Sequence, residues 1–173
     1  MLRALARTHD TAAQHSTSPP EWFAISDPDS GRDGTGLRFS CTMCGNCCSG
    51  PEGYVIVSDP EAAALSKRLN ISVETFLKRF THTTPEGRSL TEKPAPEGRG
   101  RDCIFLDRDK IPGKAVCGVY EDRPIQCRTW PFWPSILRSR QNWERAKSVC
   151  PGMDHGKKHD LVQIRVQRDT FKI

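Results

Sequence analysis

The pattern of apolar and polar positions predicts a helix that starts near residue 58. Within SDPEAAALSKRLN, the apolar residues Ala62, Leu65 and Leu69 recur at helical spacing and form one face. Ser58 can cap the N-terminus of this helix, and Pro60 suits its first turn, where a backbone N–H has no partner inside the helix. We therefore expect a structural helix across this segment.

A second short helix is predicted directly after the first. In SVETFLKRF, four apolar residues fall at positions i, i+3, i+4 and i+7, namely Val73, Phe76, Leu77 and Phe80. Ser72 precedes them and can cap the helix. This helix is also expected to serve the core rather than a site.

Strands are predicted where short alternating or β-branched runs occur. Leu37 and Phe39 alternate with polar residues, and residues 54–57 read YVIV. Residues 103–120 contain two short strands around a Pro-Gly turn, which would bring Cys103 and Cys117 near opposite ends of a hairpin. Residues 81–101 are rich in Pro, Gly and charge, so they predict a loop with at most one strand.

The remaining segments have weaker patterns. Asp122 can cap a brief helical turn that has Pro124 in its first turn and carries Cys127. Residues 135–153 fit a strand pair or a helix, and residues 160–173 fit a strand about as well as a frayed helix. Both alternatives stay open for these two segments.

The domain organisation follows from these elements. Residues 1–36 are polar and turn-rich and predict a flexible tail, in which Trp22 and Phe23 can dock on the domain. Residues 37–155 form the predicted domain, and residues 156–173 a C-terminal extension. The expected fold class is a small, irregular α+β domain with short helices and hairpins, stabilised by metal.

Composition explains why such a domain would need metal. Only 36% of the residues are hydrophobic, while the chain has 8 Cys, 13 Pro and 13 Gly among 173 residues.

The first 20 residues lack the apolar segment of a secretory signal, although their Arg, Ser and Thr also resemble an organelle transit peptide. Without export there is no oxidising compartment for disulfides, so a cytoplasmic protein is expected.

Charge and hydropathy exclude few partners. The net charge of +5 is spread along the chain without a block of basic residues, so nucleic-acid binding is allowed but not indicated. No run approaches the roughly 18 apolar residues of a membrane helix, and no membrane association is expected. A protein partner of unknown identity is the expectation that remains.

The cysteines are the candidate metal ligands. CTMCGNCCSG places four of them within eight positions, and four more follow, giving the set Cys41, Cys44, Cys47, Cys48, Cys103, Cys117, Cys127 and Cys150. The C-x2-C-x2-C step is used by bacterial ferredoxins for three ligands of a 4Fe-4S cluster. Eight thiols fit two zinc ions, one cluster with spare cysteines, or one centre of each kind. Adjacent cysteines seldom bind one small ion together, which favours the iron-sulfur cluster.

Residues around the cysteines provide further candidates. Arg123 and Arg128 flank Cys127 and can offset the negative charge of the centre or bind an anionic partner, although a surface salt bridge explains them equally well. Three aromatic residues can shield the centre or simply pack in the core: Trp130, Phe132 and Trp133. A zinc ligand is also conceivable among the histidines, first His155 and then His82 and His159.

No catalytic residue is predicted. The chain lacks the Gly-x-Ser-x-Gly, phosphate-loop, dinucleotide-binding and His-Glu-x-x-His motifs. CGNC could serve thiol-disulfide exchange, but the adjacent Cys48 and the following Gly50-Pro51 argue against a thioredoxin-like context. Whether the chain is an enzyme stays open.

Several motifs in order resemble the YkgJ-like cysteine-cluster family, also called CxxCxxCC proteins. They are FSCTMCGNCCSG with GYVIVSDPEAAAL, then CIFL, CGVYEDRPIQCRTWPF and CPGM, across about residues 37–153. The resemblance implies that these cysteines chelate zinc or iron. A similar motif occurs in flagellin lysine N-methylases, which implies a methylase relative as a further alternative, although no methyl-donor site is recognisable. WPF stands where FPF is common in the family.

Overall fold

The structure is a computed structural model, and it describes residues 20–98 and 100–171. Six short α-helices lie in these ranges: α1 Asp59–Arg68, α2 Val73–Phe80, α3 Ile125–Arg128, α4 Pro134–Leu137, α5 Arg140–Val149 and α6 Leu161–Thr170. None of the helices in the described ranges has the length and apolar character needed to cross a bilayer.

The strands are short, and all their pairings are antiparallel. Their bounds are β1 Ser26–Asp27, β2 Arg32–Asp33, β3 Gly36–Phe39, β4 Ser49–Gly50, β5 Thr81–Thr84, β6 Gly87–Leu90, β7 Glu92–Pro94, β8 Arg101–Cys103, β9 Leu106–Asp107, β10 Val116–Cys117 and β11 Met153–Asp160. Their pairings are β1 with β2, β3 with β11, β5 with β6, β9 with β10, and β8 between β4 and β7. The predicted α+β class is confirmed.

The two predicted helices are confirmed with their caps. Ser58 and Glu61 form a capping box at the start of α1, in which the Ser58 N–H donates to Glu61 Oε2 at 2.8 Å. Ser72 accepts a hydrogen bond from the Thr75 N–H at 3.1 Å at the start of α2. These bonds satisfy N–H groups that have no partner within a helix.

Glu61 also connects two helices, so its removal is expected to cost more than one cap. Its Oε1 accepts a hydrogen bond of 2.6 Å from the Ile125 N–H, at the first residue of α3. We expect Glu61→Ala to lower the free energy of unfolding by about 2 kcal/mol in urea denaturation. Glu74→Ala is the control, because Glu74 is an exposed acid of the first turn of α2. Equal losses in the two variants would contradict the bridging role.

Residues 81–101 correct the prediction of a loop. They contain the hairpin β5–β6 and the edge strand β7, and Thr84 closes the hairpin turn with a hydrogen bond to the Gly87 carbonyl at 2.8 Å. The run YVIV is not a strand in the structure and makes a single bridge, between Ile56 and Ser89. Two backbone hydrogen bonds of 2.9 Å form this bridge, from the Val57 N–H to the Arg88 carbonyl and from the Leu90 N–H to the Val55 carbonyl. The Ile56 N–H donates to the Gln126 side chain at 2.8 Å, so no further strand pairs with the run through this group.

The two undecided segments are helical. Ser139 caps α5 by accepting a hydrogen bond from the Asn142 N–H at 3.2 Å. Asp160 and Gln163 form a capping box at the start of α6. The predicted hairpin around Pro112-Gly113 is confirmed as β9–β10.

Two apolar cores organise the domain. The first consists of Phe23, Leu37, Phe132, Ile136, Leu137, Trp143, Cys150, Met153 and Ile164. The second consists of Val57, Ala62, Leu65, Phe76, Leu90 and Val119. The first core is built on β3, β11 and the C-terminal helices, and the second on α1, α2 and the hairpin that follows them.

Both terminal segments contribute to the first core. Phe23 is buried there, and the Trp22 indole N–H donates to the Leu137 carbonyl at 2.7 Å. Ile164 of α6 is fully buried, and β11 runs across residue 155. Parts of the predicted tail and of the predicted extension are thus packed, while residues 1–19 lie outside the described residues.

Candidate metal centre

The cysteines converge on one cavity of about 450 Å³. All eight of them line it: Cys41, Cys44, Cys47, Cys48, Cys103, Cys117, Cys127 and Cys150. Members of both cores line it as well, including Leu90 and Val119 of the second core and Cys150 of the first. The folded chain therefore brings together thiols that are up to 109 positions apart in sequence.

The loop with the first four cysteines is held in a fixed conformation by its backbone. Gly45 has a φ of 78°, and a Cβ atom there would lie 2.6 Å from the Ala115 side chain. Only glycine combines that φ with such a close approach at no steric cost. A short 3-10 helix then covers Asn46–Cys48, and the Ala115 N–H donates to the Met43 carbonyl at 2.8 Å.

The other four cysteines reach the cavity from separate elements. Cys103 ends β8, Cys117 ends β10, Cys127 lies in α3, and Cys150 follows the last residue of α5. The pairing of β9 with β10 places Cys117 opposite Leu106, whereas Cys103 lies in β8, opposite Glu92 of β7, and so outside the predicted hairpin. Each element thus adds one sulfur to the wall.

The protonation of the thiols reflects their shared environment. Burial raises the pKa of Cys103 to about 11, and burial followed by the neighbouring thiols Cys103, Cys47 and Cys117 raises the pKa of Cys127. The exception is Cys47, because its sulfur lies 3.7 Å from Cys48 Sγ and a hydrogen bond from Cys48 lowers its pKa to about 7. A metal ion would replace these protons.

A buried ion pair fixes the cysteine loop against the strand of Cys103. The Arg108 guanidinium donates to both Asp102 oxygens at 2.8 Å and to Ser49 Oγ at 2.7 Å. The Asp102 side chain is 2% exposed, and Arg108 lowers its pKa. Since Ser49 follows Cys48 and Asp102 precedes Cys103, this pair sets the spacing between two candidate ligands.

We expect Asp102→Asn to lower the free energy of unfolding by about 3 kcal/mol, because it leaves the Arg108 charge without its buried partner. Urea denaturation of the metal-loaded protein measures this loss. Glu144→Gln is the matched control, since the Lys147–Glu144 pair is exposed and its loss should cost less than about 1 kcal/mol. A small cost for Asp102→Asn would show that the ion pair does not hold the site.

Several predicted neighbours of the cysteines do line the cavity. Arg123 and Arg128 both line it, and so do Trp130 and Trp133, whose rings meet edge to face at 4.9 Å. The Arg123 guanidinium lies 3.7 Å from the centre of the Tyr120 ring, and its charge lowers the pKa of Cys47. Phe132, by contrast, is buried in the first core.

The histidines differ from their predicted order. His159 lines the cavity, and its Nε2 lies 3.2 Å from the Phe39 carbonyl oxygen. Partial burial lowers the pKa of His159, which favours the neutral ring. His155 and His82 are exposed and are not among the lining residues. The structure therefore favours His159 as the candidate ligand among these histidines, whereas the sequence favoured His155.

Sequence reasoning missed several lining residues. Phe39 and Tyr54 add aromatic surface, and Lys157 adds a positive charge. The pairing of β11 with β3 brings Lys157 and His159 beside Phe39, across more than a hundred positions of sequence. No local pattern indicates this pairing, because β11 is mostly polar.

The donor set fits a metal, although the thiols have to move to bind one. Within residues 20–98 and 100–171, no three His, Cys, Asp or Glu side chains are already close enough together to hold an ion. Thiolates are the ligands that zinc and iron-sulfur clusters prefer. Shifts of the sulfur atoms within the cavity would be needed to reach metal–sulfur bonds of about 2.3 Å.

A small α+β domain whose thiols line a single cavity defines a cysteine-rich metal-binding domain. The chain belongs to the CxxCxxCC family, a domain to which chelation of zinc or iron is ascribed, and the match covers residues 40–151. No solved structure matches the chain. The expected family is thus confirmed, and it supports metal binding by this domain, while the assignment of the individual cysteines as ligands stays a prediction.

Proposed function

We propose that this domain holds an iron-sulfur cluster, most simply of the 4Fe-4S type, on the cysteines of its cavity. The observation that carries the proposal is that all eight thiols line one cavity of about 450 Å³, which has room for a cluster of several atoms as well as for its sulfur ligands. Adjacent Cys47 and Cys48 fit a larger centre better than one small ion. A cluster would supply one-electron chemistry.

The surroundings of the thiols support a cluster shielded from water. Four aromatic side chains line the cavity, namely Trp130, Trp133, Phe39 and Tyr54. Such surroundings limit the access of solvent and so shift the reduction potential of a cluster. Arg123 is the proposed counter-charge, because it lies within electrostatic reach of Cys41, Cys47, Cys117 and Cys127. Arg128 contributes a second positive charge on the lining.

Zinc is the second candidate for the same cavity. Eight thiols equal the ligand sets of two four-cysteine sites, which would make the domain a structural or interaction module. In either case we propose a reducing compartment such as the cytoplasm, because the eight thiols have to remain reduced to act as ligands. An iron-sulfur centre would also need a protein partner for electron exchange.

Anaerobic reconstitution distinguishes the two candidates. We expect the metal-free protein to take up iron together with sulfide and to develop broad visible absorption, whereas zinc added in equal amount should not displace the incorporated cluster. The Arg123→Gln variant should still take up iron but show a more negative reduction potential, because it lacks the counter-charge. Uptake of zinc alone, with no coloured species in the presence of iron and sulfide, would refute the cluster and support the zinc module.

A further inference from the structure

The cavity has a second chemical character besides its thiols. Three cations line it, Arg123, Arg128 and Lys157, while none of its lining residues within the described part of the chain is Asp or Glu. Arg123 acts on the cysteines, as described above. The other two cations lie on α3 and on β11, and both are exposed, so they lie where the cavity meets solvent.

Neither of these two side chains has a counter-ion within residues 20–98 and 100–171. Among the described residues, the Arg128 guanidinium and the Lys157 ammonium make no ion pair and no side-chain hydrogen bond. Two unpaired cations on one concave surface create a positive potential that attracts anions.

One residue of the lining, Trp130, carries a buried hydrogen-bond donor. Trp130 Nε1 is inaccessible to water and has no hydrogen-bond partner among the described residues. Such a group is costly unless a ligand or water satisfies it. In contrast, the Trp133 indole N–H donates to the Gln126 carbonyl at 2.9 Å and is satisfied. Because no water-sized molecule reaches the Trp130 N–H, both indoles contribute aromatic surface to the cavity and not a hydrogen-bond donor.

The space and the walls limit the kind of ligand. A volume of about 450 Å³ lies within the range of roughly 300 to 1,000 Å³ that small-molecule sites occupy. The aromatic side chains Phe39, Tyr54, Trp130 and Trp133 favour a flat apolar body. The lining therefore combines room, aromatic surface and donors for an anion.

We propose that the cavity binds a small organic carboxylate with an aromatic or apolar body beside the metal centre, held by Arg128 and Lys157. This inference rests on the proposed function, because it makes the ligand a neighbour of the metal. It assigns the domain a substrate or effector class, namely an amphipathic organic anion, where the thiols alone specify only a metal.

Benzoate is the probe, and benzamide is its neutral control of the same shape. Both are titrated by ligand-observed NMR into the full chain as purified without oxygen. We expect benzoate to bind about tenfold more tightly than benzamide, and Arg128→Gln and Lys157→Gln each to weaken benzoate about tenfold while leaving benzamide unchanged.

Lys67→Gln is the matched control, because Lys67 is an exposed cation of α1 outside the cavity and its loss should leave both affinities unchanged. Equal binding of benzoate and benzamide, no binding of benzoate, or equal effects of Lys67→Gln and Arg128→Gln would overturn the proposal.

Iron, zinc and sulfide are measured on the same samples to separate this proposal from the metal centre. Metal-loaded protein without a preference for benzoate would refute the anion site and leave the metal centre standing. A benzoate preference in protein that takes up neither iron nor zinc would refute the metal centre and leave the anion site standing.

Discussion

Removal of the bound metal is expected to abolish cooperative thermal unfolding of this domain and its near-ultraviolet circular dichroism. Most strands that carry or flank the cysteines are two or three residues long, including β4, β8 and β10. Strands this short do not form stable sheets by themselves. Metal binding is therefore a large part of the folding free energy.

The size of the effect follows from typical magnitudes. Structural zinc contributes an apparent ~10–16 kcal/mol in small metal-dependent folds, and a whole domain is stable by only about 5–15 kcal/mol. Thermal melts before and after treatment with a strong chelator measure the change, and re-addition of metal should restore the transition. Chelator saturated with metal beforehand is the control. An unchanged melt after verified removal of the metal would contradict a metal-stabilised fold.

Cys127→Ser is expected to lower metal affinity more than about 100-fold, so that the purified variant contains little metal. Cys127 lies within electrostatic reach of thiols from three other segments, namely Cys47, Cys103 and Cys117. Serine keeps the size of the side chain but is a poor ligand for soft metals. Loss of a direct ligand should lower metal affinity by more than the 10- to 100-fold seen when a residue that supports a ligand is replaced.

Thr42→Val is the matched control for Cys127→Ser. Thr42 also lines the cavity, and its buried hydroxyl has no hydrogen-bond partner among the described residues. Valine conserves its volume, so this variant should keep its full metal content. Metal content per chain, measured by elemental analysis on both variants, gives the comparison. A Cys127→Ser protein with the metal content of the wild type would exclude Cys127 as a ligand.

Local chemistry made the helices of the second core predictable. The caps Ser58 and Ser72 and the apolar spacing that follows each of them specify α1 and α2 within a few residues. The β9–β10 hairpin was predictable for the same reason, because a Pro-Gly turn lies between two short apolar runs. In these segments, neighbours in sequence are also neighbours in the fold.

Long-range pairing accounts for what the sequence did not reveal. β11 is polar and pairs with β3 across the whole domain, and Gly152 permits the close approach because a Cβ there would lie 2.2 Å from the Ser40 carbonyl oxygen. The hairpin β5–β6 lacks an alternating pattern, so its residues resemble a loop. Both segments depend on partners that no local pattern identifies.

The candidate site also has some residues that the local sequence identifies and others that only the fold brings to the cavity. The eight cysteines are evident from composition and spacing, and Arg123 and Arg128 from their position around Cys127. Lys157 and His159 reach the cavity only through β11, and the unpaired Trp130 N–H is a property of the packed wall. Ligand candidates could thus be predicted from sequence, whereas the rest of the cavity required the fold.

The most direct test of the metal centre is elemental and acid-labile sulfide analysis of protein purified without oxygen. An iron-sulfur centre on these cysteines predicts about four iron and four sulfide per chain for one 4Fe-4S cluster, with little zinc. One or two zinc per chain without sulfide would contradict the cluster but keep the cysteine centre. Protein that contains neither metal, yet is folded, would contradict the central claim that these eight thiols bind metal.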